Sequence, residues 1–383
     1  MRVFLIAGEA SGDRLGAALM EGLATLAPGV SFDGIGGPEM TARGLESRFP
    51  MEEISVMGVV EILARYRALK RRIAETAEAV VAARPDVLIT IDLPEFSLRV
   101  AERVKARADI RTVHYVAPTV WAWRPKRAER MAAHVDQVLA LLPFEPPYME
   151  AAGMRCDFVG HPVVTAPQAD ADAAAAFRAR YGVGAGPLVL ALPGSRRSEV
   201  ARLTPVFRAA LAQLAEARPG LRVVVPAAHD VAGEVAAAVA DWPGAPVLID
   251  PREPGAAAEK RAAFAAADVA LAASGTVSLE LAAAGTPMVI AYDGGWISHQ
   301  IIGRMLRVDT VTLVNLVSGT RTVPEFLGRD CRPGPIAAAL GEVLDAPGPQ
   351  HEAMAETMAR LGAGGDPPGL RAARAVLEGL GRA

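Results

Sequence analysis

The chain is 383 residues long, more than one ordinary core accommodates, so two domains are expected. Hydrophobic residues make up 51% and charged residues 22%, ample for packed globules, and a net charge of −3 leaves no basic surplus to bind nucleic acid. The two cysteines, Cys156 and Cys331, lie far apart with no pattern of other ligands around them. They indicate neither a disulfide framework nor a zinc site and fit a reducing cytoplasm.

The opening "MRVFLIAGEASGD" has one arginine and five apolar residues before it turns acidic, too short an apolar run for a signal peptide, so it reads as a first strand. Further strands are expected at 31–35, 86–91, 111–116, 136–142 and 156–160, then at 187–192, 221–226, 246–249, 268–272 and 287–292. Helical patterns fall between them at 14–26, 59–83, 95–107, 198–216 and 276–284. This alternation predicts βαβ units, parallel sheets and an α/β fold of two doubly wound domains facing each other across a cleft. Fully apolar strands such as "VLIT" and "LVLAL" fit sheets covered on both faces. A linker is expected at 160–177, between domains at 1–162 and 163–345. The most apolar stretch, 262–292, is broken by Asp268, Glu280, two glycines and a proline, so it does not read as a membrane span.

Ligands of such sheets bind beyond the carboxyl ends of the strands, and the motifs cluster there. "AGEASGD" (7–13) joins strand to helix, with Gly8 and Gly12 for close approach and Glu9, Ser11 and Asp13 as polar groups. Two carboxylates disfavour a pyrophosphate, so a sugar with hydroxyls is the better guest; the plainer alternative is a helix start capped by Ser11 or Asp13. "GIGGPEM" (34–40) reads as a simple turn. In "DVLITIDLPEF" (86–96), Asp92 ends a buried strand and Pro94 fixes the turn, placing a carboxylate on a rigid element. "HYVAPTVWAWRPKR" (114–127) puts Trp123 beside Arg124, suited to a sugar face or a phosphate, or else a tryptophan pair covering a core edge. His114, inside the strand, reads as a core histidine.

In "LALPGSRRSEV" (190–200), Ser195 and Arg196 stand at a helix start, where free amides, partial positive charge and a forked guanidinium suit a diphosphate. "AASGTVSLELAAAGTPMV" (272–289) runs from strand into Ser274, Gly275 and Thr276, then a helix with Ser278 and Glu280; the amides can hold phosphate and the carboxylate a ribose. "VMGVVEILARYRALKRR" (56–72) carries Val60, Ile62, Leu63, Tyr66 and Leu69 among basic residues. It reads as a helix for a bilayer surface or acyl chains, or as an ordinary core helix with a solvated basic face.

The ordered set "AGEASGD", "VMGVVEIL", "IDLPEF", "HYVAPTVWAWR", "LLPFE", "FVGHP", "LPGSR" and "ASGTVSLE" closely resembles the lipid-A-disaccharide synthase family from about residue 3 to residue 326. The resemblance implies two facing Rossmann-like domains (the GT-B arrangement), with a last helix at 369–382 returning to the first. It implies UDP-2,3-diacylglucosamine as donor and 2,3-diacylglucosamine 1-phosphate (lipid X) as acceptor, joined into a β-1,6-linked disaccharide 1-phosphate with release of UDP. It further implies a cytoplasmic protein, peripheral on the inner face of the inner membrane. Three positions depart from the family pattern: Leu93-Pro94-Glu95-Phe96 for A-P-D-F, Ala117-Pro118-Thr119 for S-P-S, and Leu313-Val314-Asn315 for L-P-N.

Inversion needs one base, because UDP leaves without a general acid. Asp92 is the expected base, with Glu9 and Asp13 in reserve. Glu9, Ser11, Gly12, Asp13, Trp123 and Arg124 are expected to meet the acceptor. Arg196 and the amides at Thr276 are expected to neutralise the leaving diphosphate, while Glu280 holds the ribose and Asn315 completes the donor pocket. No D-x-D pair stands at a suitable loop, so neither metal nor cofactor is expected. Two rival readings share the scaffold: a UDP-N-acetylglucosamine 2-epimerase-like isomerase, and a non-catalytic protein that binds nucleotide-sugars or membranes.

Overall fold

The computed structural model describes residues 1–55, 59–121, 126–293 and 308–382, with only the backbone of 59–65. The chain divides into two compact units, Met1–Thr165 with Gly364–Ala383, and Ala166–Ala363.

The first unit runs β1 (Arg2–Ala7), α1 (Ala10–Leu26), β2 (Ser31–Ile35), α2 (Pro38–Thr41), α3 (Val59–Ala83), β3 (Val87–Ile91), α4 (Pro94–Lys105), β4 (Arg111–Tyr115), α5 (Lys126–Ala132), β5 (Gln137–Ala140), α6 (Pro146–Glu150) and β6 (Arg155–Phe158). Its parallel sheet has the order β2-β1-β3-β4-β5-β6, which reverses between β1 and β3. The whole of β3 is buried because its alternate residues serve two cores. Val87, Ile89 and Ile91 join Leu15, Leu19 and Leu23 of α1, while Leu88 joins Ile73 and Val80 of α3 and Val100 of α4. Each such side chain contributes about 1.5–3 kcal/mol through burial. The C-terminal helix Pro368–Gly379 belongs to this unit and supplies Ala372, Ala373 and Val376 to the α1 side of the core. Gln137 Nε2 donates to the carbonyl of Ala375 at 2.8 Å, tying that helix to β5.

The second unit runs α7 (Ala171–Arg180), β7 (Leu188–Leu192), α8 (Arg197–Ala217), β8 (Arg222–Pro226), α9 (Ala232–Val239), β9 (Val247–Ile249), α10 (Ala256–Ala266), β10 (Val269–Ala273), α11 (Val277–Ala284), β11 (Met288–Tyr292), α12 (Leu313–Ser318), β12 (Glu325–Leu327), α13 (Pro333–Asp345) and α14 (Gly348–Arg360). Its parallel sheet has the order β12-β11-β10-β7-β8-β9, reversing between β7 and β10. The expectation of an α/β fold with two parallel sheets is met.

Two details differ from the sequence reading. The expected linker 160–177 contains the start of α7, because Asp170 accepts the amide of Ala173 at 2.8 Å and caps that helix. The short β12 was not anticipated; three residues after Pro324 add an edge to β11, with Ile290 opposite Glu325.

Candidate active site

In the first unit β1 and β3 are neighbours, with Ala7 opposite Ile91, so the loops that follow both strands leave the sheet at its reversal point. Leu93 Cδ2 lies so close to Gly8 that a Cβ there would overlap it. Asp92 donates its amide to the carbonyl of Tyr115 at 2.9 Å and accepts Ser97 Oγ at 2.8 Å on its own carbonyl, which pins its backbone to β4 and α4. Both Asp92 (φ 50°) and Leu93 (φ 48°) are left-handed, and Val116, just past the neighbouring strand end, has φ 81°. Each such residue costs about 1–3 kcal/mol, strain of a kind that collects at working sites. The half-buried Asp92 carboxylate makes no hydrogen bond or ion pair among the described residues.

Asp13 is tied into the fold. It is 1% exposed, and its oxygens accept the amides of Gly37 (2.8 Å), Glu39 (2.9 Å) and Met40 (3.1 Å). It therefore caps α2 from a distance and not α1 as expected, and its carboxylate, expected to meet the acceptor or serve as reserve base, is engaged by three amides. A Cβ on Gly37 would sit 2.6 Å from an Asp13 oxygen, so the "GIGGPEM" turn is glycine where the carboxylate approaches. The N-cap of α1 is Glu9, without a side-chain cap. Glu9 is half-buried, Ser11 exposed and Gly12 buried. Trp123 and Arg124 lie outside the described residues.

His114 is a core residue, with Nδ1 2.8 Å from Thr90 Oγ1 and a pKa lowered to about 4 by burial, with help from the charge of Arg127. Glu145 is also buried and accepts the amide of Leu142 at 3.0 Å; burial pushes its pKa up to about 7.

In the second unit Leu192 stands opposite Ala272, so the loops after β7 and β10 emerge together at that sheet's reversal point. The first carries exposed Ser195 and Arg196, and the second carries half-buried Ser274 with exposed Gly275 and Thr276. Gly194 (φ 114°) makes the turn before α8, and Gly275 has φ 155°. Sequence reasoning overlooked Glu199, which turns back over the start of α8 to pair with Arg196 at 2.8 Å. Its signal was local: a glutamate three residues after the N-cap is half of a capping box. Glu280 is exposed and bonded to Lys260 Nζ at 2.7 Å, a partner from α10 that was likewise not foreseen.

Two residues expected to bind the donor brace the fold. Ser278 is 1% exposed and donates its hydroxyl to the carbonyl of Gly275 at 2.9 Å, shaping the loop without facing its outside. Asn315 is 1% exposed, donates to the carbonyl of Val323 (2.9 Å) and accepts that residue's amide (3.1 Å), so both ends of its amide are engaged.

On α3, Leu69 is 8% exposed and packs with Ile73, Ala77 and Val80, so its expected contact with lipid gives way to a core role. Tyr66 is 47% exposed, whereas the side chains of Val60, Ile62 and Leu63 lie outside the described residues. Among the described residues no helix is long and apolar enough to cross a membrane, and no group of three or more His, Cys, Asp and Glu side chains could hold a metal ion.

Two of the similar solved structures are a Staphylococcus aureus MnaA–UDP complex (TM-score 0.65, 12% identity, 100% of this chain and 97% of that one) and a UDP-N-acetylglucosamine 2-epimerase from Neisseria meningitidis bound to UDP-GlcNAc (TM-score 0.61, 12% identity, 100% of both chains). At such identity the likeness shows the fold alone, the GT-B class of two Rossmann-like units. The sequence comparisons are much tighter. The lipid-A-disaccharide synthetase family model matches residues 3–361. A lipid-A-disaccharide synthase from Ruegeria pomeroyi is 66% identical over 99% of this chain and 96% of its own, and one from Rhodospirillum centenum is 48% identical over 98% and 94%. With the residues at both sheet reversals lying inside that match, the chain belongs to the lipid-A-disaccharide synthase family, glycosyltransferases that build the lipid A disaccharide.

Proposed function

We propose that the enzyme transfers 2,3-diacylglucosamine from UDP to lipid X with inversion, giving the β-1,6-linked disaccharide 1-phosphate and UDP, with Asp92 as the base. The unengaged Asp92 carboxylate on a strained strand end carries this reading. The acceptor hydroxyl is far too weak an acid to ionise near neutral pH, and a positioned base accelerates its attack by roughly 10²–10⁴-fold. Glu9 is the second candidate, since Asp13 is engaged by three amides. As the bond to UDP breaks, charge grows on the diphosphate. Arg196 and the amides at the start of α11 would stabilise it, each good donor by roughly 3–4 kcal/mol. Glu280 would take the ribose hydroxyls, exchanging its exposed bond to Lys260. The diphosphate needs no metal in this scheme.

Both substrates carry acyl chains, which calls for a membrane surface. On α3, Tyr66, Arg67, Lys70 and Arg71 are exposed and suit an anionic inner leaflet on its cytoplasmic side. Arg72 is otherwise occupied, bonded to Glu53 at 2.6 Å and Glu75 at 2.8 Å.

The test is UDP release from UDP-diacylglucosamine with and without lipid X, repeated in EDTA. Release should require both lipids and survive the chelator. Conversion of the donor alone to an epimer would favour the isomerase reading, and loss of activity in EDTA restored by a divalent cation would end the metal-free scheme.

A further inference from the structure

The start of α8 is built around a carboxylate. Glu199 Oε2 accepts the amides of Ser195 (3.1 Å) and Arg196 (3.3 Å), and Oε1 accepts Arg196 Nη1 (2.8 Å). The Glu199 side chain is 10% exposed, whereas that of Arg196 is 68% exposed. A Cβ on Gly194 would come 2.6 Å from Glu199 Cβ and 2.8 Å from Oε2, so the left-handed glycine turn leaves room for that side chain alone.

We propose that Glu199 is a positioning residue for glycosyl transfer: it holds the Arg196 guanidinium in the orientation that receives the donor's diphosphate. The inference rests on the reading of Arg196 as a diphosphate ligand. A free arginine surrenders much rotamer freedom when it grips an anion, and a partner that has already fixed one end of the fork lowers that cost. Among the described residues only one guanidinium nitrogen is engaged, so the remaining donors stay available. Because Oε2 takes the amides of Ser195 and Arg196, the diphosphate meets the guanidinium and the Ser195 hydroxyl on this side, not the loop backbone.

The same geometry has an opposite consequence: a carboxylate near the cradle repels phosphate. Both Glu199 oxygens are already bonded to a cation and two amide dipoles, so its charge is largely neutralised and orientation prevails.

UDP binding by calorimetry and steady-state kinetics on wild type, R196A, E199Q and the double variant decide the matter. R196A should weaken UDP binding about 10- to 100-fold. E199Q keeps an acceptor for the amides but loses the ion pair. It should weaken UDP about 3- to 10-fold and raise the donor KM by more than it lowers kcat. Since Glu199 acts through Arg196, the double variant should bind no more weakly than R196A alone. Equal or tighter binding by E199Q overturns the proposal, as does multiplication of the two effects in the double variant, the mark of a residue that merely supports the fold. Should E199Q melt far below wild type, E199D, with the charge retained one methylene short, takes its place in the same cycle. Wild-type affinity in R196A would remove the diphosphate reading itself, and this inference with it.

Discussion

The two sheet reversals solve one geometric problem with opposite chemistry. In the second unit the chain leaves β7 and β10 through Gly194 (φ 114°) and Gly275 (φ 155°), residues that adopt such angles without strain. In the first unit the exit from β3 carries Asp92 (φ 50°) and Leu93 (φ 48°), and the exit from its neighbour β4 carries Val116 (φ 81°), all with side chains. On the proposed function the glycine turns serve a loop whose arginine meets the diphosphate, whereas at the first reversal the left-handed turn is made by the proposed base itself and the strain is retained. The strained Asp92 also has a carboxylate without a partner among the described residues.

The largest effect should come from Asp92→Asn, which tolerates the same backbone angles and removes only the proton acceptor. Turnover should fall by at least about 10²-fold with UDP affinity unchanged within about twofold, because the ligands proposed for the donor belong to the other unit. Single-turnover rates and UDP calorimetry on one preparation check this. Equal losses in both would mean that Asp92 shapes the fold rather than the chemistry.

Burial separates the units a second way. His114 of the first unit is buried and held neutral, its pKa lowered from 6.5 to about 4 by desolvation and secondarily by Arg127. Among the described residues of the second unit the histidines, His229 and His351, are exposed. A depressed histidine pKa means that the unfolded chain binds the proton more readily. The stability in question is present above pH 6.5 and is lost as pH falls toward 4, about 2 kcal/mol of it by pH 5. His114→Gln should flatten the pH dependence of unfolding between pH 7.5 and 5 by about that amount. Half-buried His161, also lowered to about 4, is present in both proteins and cancels. Parallel stability profiles would show that His114 is not the acid-sensitive group.

What sequence conveyed follows the range of each interaction. Strands such as "VLITI" and "LVLAL" were legible because burial on both faces leaves an unbroken apolar run. Asp92 was legible for the same reason, as the first charge after such a run. The cap that Asp13 places on α2 was not legible because its partners, Gly37 to Met40, begin 24 residues away and no local pattern announces them. Ser278 and Asn315 have ligand-like chemistry, and only the fold reveals that Gly275 and Val323 already engage them. Glu199 was within reach, since its partners lie three and four residues back, but the arginines beside it drew the reading toward charge instead of capping.

The smallest effect tests the strain itself. Asp92→Gly removes the Cβ that disfavours φ 50° while leaving the amide bond to Tyr115 and the carbonyl bond to Ser97 in place. Relief of a left-handed aspartate is worth about 1–2 kcal/mol, and the greater freedom of glycine in the unfolded chain takes back about 0.5–1 kcal/mol. The variant should therefore be more stable than wild type, by up to about 1.5 kcal/mol, yet as inactive as Asp92→Asn, with the shift read from the urea midpoint at constant slope. Should Asp92→Gly unfold earlier than wild type, the left-handed turn is not under strain at this residue, and the contrast between a strained first exit and a relaxed second one fails at Asp92.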